Sequence, residues 1–299
     1  MMASSSLTDR GQPPAKATAL YARASATFDA KLAQTQALLR QAAALGADAV
    51  TQASSLGAED VVITHLINAL QLDIPIFVLE TGALHTETLA LLERTQAGSR
   101  APVTPYRPEI GAVMHFIRSH GQDAMYRSMA LRKSCCGIRK LEPLARALAG
   151  KSAWITGLRR EQSGARADMP LIDLSEVAAD GVDGADGADS AAGTAGTAGA
   201  AGAAGAGGHR GSAGLTKFNP LAHWTWGDLW HYIATHGVDY NPLHDRFYPS
   251  IGCAPCTRAI SLGEDLRSGR WWWEQESAKE CGLHAKPDTP TVTRQKALP

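Results

Sequence analysis

The chain has 299 residues, 44% of them hydrophobic, and its 29 basic and 29 acidic side chains leave no formal net charge. That length holds one large domain or two small ones, with apolar material enough for a real core. The balance excludes a global field drawing the protein to nucleic acid or membrane, so any anion site must be a local cluster.

Met1 to Lys16 is Ser/Pro-rich and lacks an apolar segment, so no secretory signal is expected, and residues 1–27 read as a flexible N-terminus. Phe28 to Leu45 reads as an Ala/Leu helix. Ala49 to Ala53 is a short strand, followed by the loop Ser54–Ala58 and a helix over Glu59–Leu70 with apolar spacing at Val62, Leu66, Ile67 and Leu70. Ile74 to Leu79 is a second, wholly apolar strand; Thr86–Gln96 is a helix, and Val103–Tyr106 another extended piece. Ile110–Ser119 and Arg139–Leu148 read as helices, and Ala153–Thr156 as a strand ending at Gly157. Trp226–His236 is a helix opening on Thr225, a good N-cap residue. Apolar strands alternating with helices predict an α/β fold with a parallel sheet covered on both faces. No apolar run is long enough to cross a bilayer. From Asp180 to Gly214 the chain is nearly all Ala, Gly, Asp, Ser and Thr, which cannot bury enough apolar surface to offset the entropy of ordering; it reads as a disordered surface insertion.

The cysteines carry the chemistry. Five are present, and a reducing cytoplasmic setting makes them ligands or reactants rather than disulfides. Cys135 and Cys136 are adjacent, Cys253 and Cys256 form a second pair, and Cys281 stands alone near a histidine. Soft thiolates select zinc, copper(I) or iron–sulfur. Adjacent cysteines are awkward for one tetrahedral ion, whereas a cubane offers separate corners, so the spacing favours a [4Fe–4S] cluster over zinc. Arg132, Lys133, Arg139, Lys140 and Arg258 crowd the pairs and would offset an anionic cluster; for Arg132 and Lys133 a solvated basic face is the plainer reading. Lys140, four residues after Cys136, lies one helical turn on. Cys281 must ionise to act; Glu280 opposes this, while Lys279 and His284 favour it. An inert tail thiol is the alternative.

Ser54-Ser-Leu-Gly-Ala-Glu-Asp60 joins a strand to a helix N-terminus, whose free N–H groups suit a phosphate, with Gly57 permitting close approach and Ser54 and Ser55 adding donors. An ordinary capped helix, with Glu59 and Asp60 complementing the dipole, is the bland alternative. Trp271-Trp-Trp273 reads as a hydrophobic anchor for the base of the tail.

This loop resembles the modified phosphate loop of the adenine-nucleotide alpha-hydrolase-like proteins, and the chain as a whole resembles the assimilatory sulfonucleotide reductases. The supporting stretches are Leu79–Thr88, Lys133–Cys136, Ile155–Ser163, Cys253–Arg258 and Lys279–His284. Glu80 stands where the family usually carries Asp, and the Ala/Gly-rich insertion is not part of its pattern. The two cysteine pairs resemble those of the adenylyl sulfate (APS) branch; members lacking them use the 3′-phosphorylated nucleotide (PAPS).

The resemblance implies a three-layer, parallel-sheet fold with a sulfonucleotide-binding and cluster domain over residues 28–270 and a mobile tail over 271–299 carrying Cys281 as the catalytic nucleophile. It implies a [4Fe–4S] cluster on Cys135, Cys136, Cys253 and Cys256, with an electrostatic and structural role. Substrate would be held by Ser54, Ser55, Gly57, Lys140, Gly157, Arg159, Arg166, Arg267, Arg270 and His284. Cys281 would take the sulfonate from APS, releasing AMP, and thioredoxin or glutaredoxin would release sulfite, in sulfate assimilation and cysteine biosynthesis. For any single arginine a surface salt bridge is the alternative. Bacterial members are often homotetramers. A PAPS reductase is the near neighbour; a tRNA-thiolation enzyme is disfavoured by the lack of a basic RNA-binding run, and a cluster-based sensor would not need Cys281.

Overall fold

The computed structural model describes residues 15–174, 215–261 and 263–274; the Ala/Gly-rich stretch from Asp180, Cys281 and His284 lie outside these residues. Helices α1 (Ala17–Tyr21) and α2 (Phe28–Ala43) lead into β1 (Val50–Ser54), α3 (Ala58–Ala69), β2 (Ile76–Leu79), α4 (Thr86–Gly98), β3 (Val103–Tyr106) and α5 (Ile110–His120). Then follow α6 (Met129–Cys136), α7 (Glu142–Leu148), β4 (Ala153–Ile155), β5 (Ile172–Asp173), β6 (Thr216–Phe218) and α8 (Trp226–His236).

The six strands form one sheet in the order β3-β2-β1-β4-β6-β5. All neighbours are parallel except β5, which runs antiparallel to β6 at the edge, so the sheet is mixed rather than wholly parallel. Residues along a strand alternate between faces. Ile76, Val78, Ala153 and Ile155 therefore join a large core with Leu38, Leu39, Val62, Ile63, Leu229 and Trp230 from α2, α3 and α8. Phe77 and Trp154 point the other way, onto Leu144, Ala147 and Leu148 of α7. Helices thus cover both faces, as the apolar strands require.

Three local features depart from the sequence expectation. Residues 15–27, expected to be flexible, are docked: Ala17 is fully buried, its N–H donates to Asp245 at 2.7 Å, and the Tyr21 ring lies 5.8 Å from Trp226. The helix expected over Arg139–Leu148 is preceded by α6, capped by Ser128 Oγ accepting from Leu131 N–H at 3.2 Å, and a π-helical stretch at Gly137–Leu141 joins α6 to α7. Strands β5 and β6, of 2 and 3 residues, are too short to leave a periodic signal. By contrast the Thr225 cap forms as expected, with Thr225 Oγ1 accepting from Asp228 N–H at 3.0 Å and Asp228 Oδ2 accepting from Thr225 N–H at 3.0 Å. Among the described residues no helix is long and apolar enough to cross a membrane.

Candidate active site

Strand β1 has β2 on one side and β4 on the other, so the chain crosses over in opposite directions from it. In open α/β sheets the crevice beyond the carboxyl ends of strands at such a switch is where ligands bind. A pocket of about 230 Å³ lies there. It is lined by Ser54, Ser55, Gly57, Lys140, Gly157, Arg159, Arg166, Arg267 and Arg270, which brings together every nominated substrate residue among those described. Phe77, Leu79 and Trp154 supply apolar wall.

The loop after β1 is held from within. Asp60 Oδ2 accepts from Ser55 N–H at 2.7 Å and from Ser55 Oγ at 2.6 Å, and Ser54 Oγ accepts from Leu56 N–H at 3.2 Å. Leu56 sits in the left-handed region at φ 60°, costly for a side chain with a Cβ and typical of loops shaped by function. Burial pushes the Asp60 carboxyl up to about 6, against the lowering effect of the Ser55 hydrogen bonds. A Cβ on Gly157 would come within 2.3 Å of Asp60 Oδ1 and 2.8 Å of Glu59 Cβ, so only glycine lets the end of β4 meet the start of α3. Glu59 and Asp60 therefore do more than complement a helix dipole: one shapes the loop and the other anchors an arginine.

That arginine is Arg159, whose side chain is 1% exposed. Its Nε donates to Glu59 at 2.9 Å, an Nη donates to Glu161 at 2.7 Å, and the guanidinium lies 5.4 Å from the Trp226 ring. Two carboxylates already match its charge, so it stiffens the pocket wall. Gln162 donates to Glu59 at 3.1 Å and accepts from Arg166 at 2.5 Å, extending the same network. Arg270 donates to the Ile251 carbonyl at 3.3 Å and packs where a Cβ on Gly252 would lie 2.5 Å from its guanidinium.

A second cavity, of about 610 Å³, is lined by Cys135, Cys136, Cys253 and Cys256, with Arg132, Arg139 and Lys140 around them. Lys140 and Cys253 line both cavities. The Thr81 hydroxyl is 3.2 Å from Cys253 Sγ, and Arg139 donates to the Thr81 carbonyl at 2.7 Å. Burial pushes the Cys256 thiol up to about 11, with Cys253 adding to the rise and Lys140 and Arg270 opposing it. Burial also raises Cys135, against Arg139. As the side chains stand, no three His, Cys, Asp or Glu groups among the described residues are gathered closely enough to hold a metal ion. The buried indole N–H of Trp271, packed against Cys253 and Cys256, has no hydrogen-bond partner among the described residues.

Residues 49–259 match the phosphoadenosine phosphosulfate reductase domain family. This chain belongs to that family. Adenosine 5′-phosphosulfate reductase of Allochromatium vinosum is 42% identical over 284 residues, covering 95% of this chain and 94% of that protein. The protein of the same name from Burkholderia cepacia is 43% identical over 250 residues, 84% of this chain and 86% of its own length. Among solved structures, a phosphoadenylyl-sulfate reductase from Candida auris in a phosphate complex superposes with TM-score 0.54 at 22% identity, covering 74% of this chain and 88% of that one. At that identity the likeness speaks to fold alone.

In this member of the reductase-domain family, Arg132 corrects the expectation of a solvated basic face. It is 1% exposed, pairs with Glu274 through two contacts of 2.8 Å, hydrogen-bonds the Cys136 thiol and lies 4.7 Å from the Trp271 ring. Lys133 is exposed, as expected. Of the Trp271–Trp273 run expected to anchor the base of the tail, Trp271 is 1% exposed whereas Trp272 is 40% exposed, so only part of the run is buried. Sequence reasoning missed Glu274 and Thr81, neither of which carries a spacing signal. It left Glu80 without a role: its carboxylate accepts from Gly82 N–H and from Arg107 Nε, both at 2.8 Å.

Proposed function

We propose that this chain reduces adenylyl sulfate to sulfite and AMP, as an oxidoreductase of sulfate assimilation and cysteine biosynthesis, drawing electrons from thioredoxin or glutaredoxin. The observation that carries the reading is the single pocket at the strand ends, where a phosphate-type loop meets Lys140, Arg166, Arg267 and Arg270 beside the four-cysteine cavity. The names of relatives about 42% identical over most of the chain support APS as the nucleotide.

The chain's own groups supply the steps. The N–H groups that open α3 and the Ser54 hydroxyl receive the phosphate, and Ser55 joins them by turning its hydroxyl away from Asp60; Lys140, Arg267 and Arg270 hold the sulfonate end. The Cys281 thiolate attacks the substrate sulfur, the sulfur–oxygen bond to phosphate breaks, and AMP leaves with its charge held by the loop. His284 assists the thiolate. Cys281 then carries an S-sulfonate. A reduced thioredoxin thiolate attacks Cys281 Sγ, sulfite departs with the electron pair of the broken sulfur–sulfur bond, and the second thioredoxin thiol resolves the mixed disulfide, returning Cys281 as thiolate. A cytoplasmic setting suits this thiol chemistry.

The residues fit a [4Fe–4S] cluster: the donors are soft thiols, they line one cavity, cationic side chains surround them, and the buried indole N–H of Trp271, packed against Cys253 and Cys256, has no hydrogen-bond partner among the described residues. Cys135, Cys136, Cys253 and Cys256 would hold it. When bound, it supplies a fixed charged body beside the pocket rather than a relay for electrons. Lys140, lining both cavities, links the two.

The test is sulfite and AMP release from APS with reduced thioredoxin, beside PAPS at equal concentration. Release from APS that is lost in Cys281→Ser is expected. Strong preference for PAPS, or a Cys281→Ser variant that still releases sulfite, overturns the reading.

A further inference from the structure

His244 lies in the turn after α8 and lines the nucleotide pocket, yet is only 4% exposed. Neither ring nitrogen has a partner of good hydrogen-bond geometry among the described residues; the Tyr248 backbone makes only a poorer contact. Three aromatic rings fix the imidazole without satisfying it: Trp230 at 5.3 Å, Trp226 at 6.3 Å and Tyr240 at 6.5 Å. Buried polar side chains are nearly always paired, so a buried imidazole in a cavity wall without a well-formed hydrogen bond among the described residues marks a place where a ligand completes the set. Burial pushes the ring's pKa down to about 4, against the nearby Glu59 carboxylate. The imidazole is therefore neutral at pH 7, with one N–H to donate. Its neighbours locate it: Glu59 opens α3, and Trp226 underlies Arg159. His244 thus sits at the phosphate-loop end of the pocket.

We infer that His244 is a substrate-binding residue whose imidazole N–H donates to a phosphate oxygen of the bound nucleotide. The inference rests on the nucleotide reading above and adds to it a ligand that neither charge nor motif singled out. A neutral donor in a dry wall orients the phosphate without adding to the charge that the loop and arginines already supply.

The test is calorimetric titration of the full chain with AMP and, separately, with adenosine. His244→Phe keeps the ring and removes both nitrogens; His244→Leu repeats the comparison with a smaller side chain. Both variants should bind AMP about tenfold more weakly, the loss of one hydrogen bond to a charged group, with adenosine affinity unchanged. His244→Gln, whose amide can donate, should recover most of the loss. Without nucleotide, His244→Phe should melt no lower than the wild type, which a merely structural histidine does not allow. Unchanged AMP affinity in Phe and Leu variants, or equal weakening of AMP and adenosine, overturns the assignment. A wild type that binds no AMP overturns instead the nucleotide reading beneath it.

Discussion

Replacing Glu274 with alanine should destabilise the fold far more than its distance from the sheet suggests. Arg132 is 1% exposed and Glu274 8%, and two contacts of 2.8 Å join them. Removing one member of such a pair strands a buried charge, at a cost of about 3–5 kcal/mol. For a domain of this size each kcal/mol lowers the melting temperature by about 2–4 °C, so the drop should be on the order of 10 °C. The exposed pair Arg94–Asp239, 48% and 58% exposed, is the internal control; Asp239→Ala should cost under about 1 kcal/mol. Replacing both Arg132 and Glu274 with methionine should return much of the loss, because an apolar pair leaves no charge unpaired. The assay is thermal denaturation of anaerobically purified protein followed by circular dichroism, analysed as a double-mutant cycle. A Glu274→Ala variant melting within a few degrees of wild type, like the control, would refute the reasoning.

Gly157→Ala would place a methyl group 2.3 Å from Asp60 Oδ1, and relief by shifting the loop should cost about 1–3 kcal/mol and weaken AMP binding; unchanged affinity by titration contradicts the close fit. Asp60 titrates near 6 in the folded chain against 3.8 unfolded, so folding favours its protonated form. Its contribution is present in full below about pH 4 and is lost as pH rises through 6, at most roughly 3 kcal/mol. Melting curves of wild type and Asp60→Asn should therefore converge or cross over that window and run parallel above it; parallel curves throughout would contradict the raised carboxyl. Cys256→Ser should abolish the visible absorbance, iron and labile sulfide of anaerobically purified protein, and a colourless, zinc-loaded wild type would remove the cluster.

What the sequence made legible were features with a local chemical cause. The strand-to-helix turn at Ser54–Asp60 was readable because a short strand, a glycine and an amphipathic helix follow one another directly. The α8 cap was legible because Thr225, a good N-cap residue, directly precedes the helix; its reciprocal partner Asp228 emerged only in the structure. The cysteine pairs announced a shared site, and all four line one cavity. What was not legible depended on contacts distant in sequence. Arg132 looked like a surface charge because its partner, Glu274, is 142 residues away. Glu59 looked like a dipole complement because Arg159 is 100 residues on. Helix α6 was missed because its 8 residues span too few turns to show a clear period, and the docking of residues 15–27 because their partners, Gly227, Asp228 and Asp245, come from the other end of the chain. His244 passed unnoticed because an imidazole in a caging aromatic cluster has no signature in spacing.

The central claim is that the Cys281 thiolate displaces AMP from the sulfur of APS. Incubating the reduced chain with APS in the absence of thioredoxin, then sequencing its peptides by mass spectrometry, tests this directly. One added sulfonate on the peptide carrying Cys281, released as sulfite by reduced thioredoxin, is the predicted result. An unmodified Cys281 beside continuing sulfite release, or a sulfonate on any other cysteine, would contradict it.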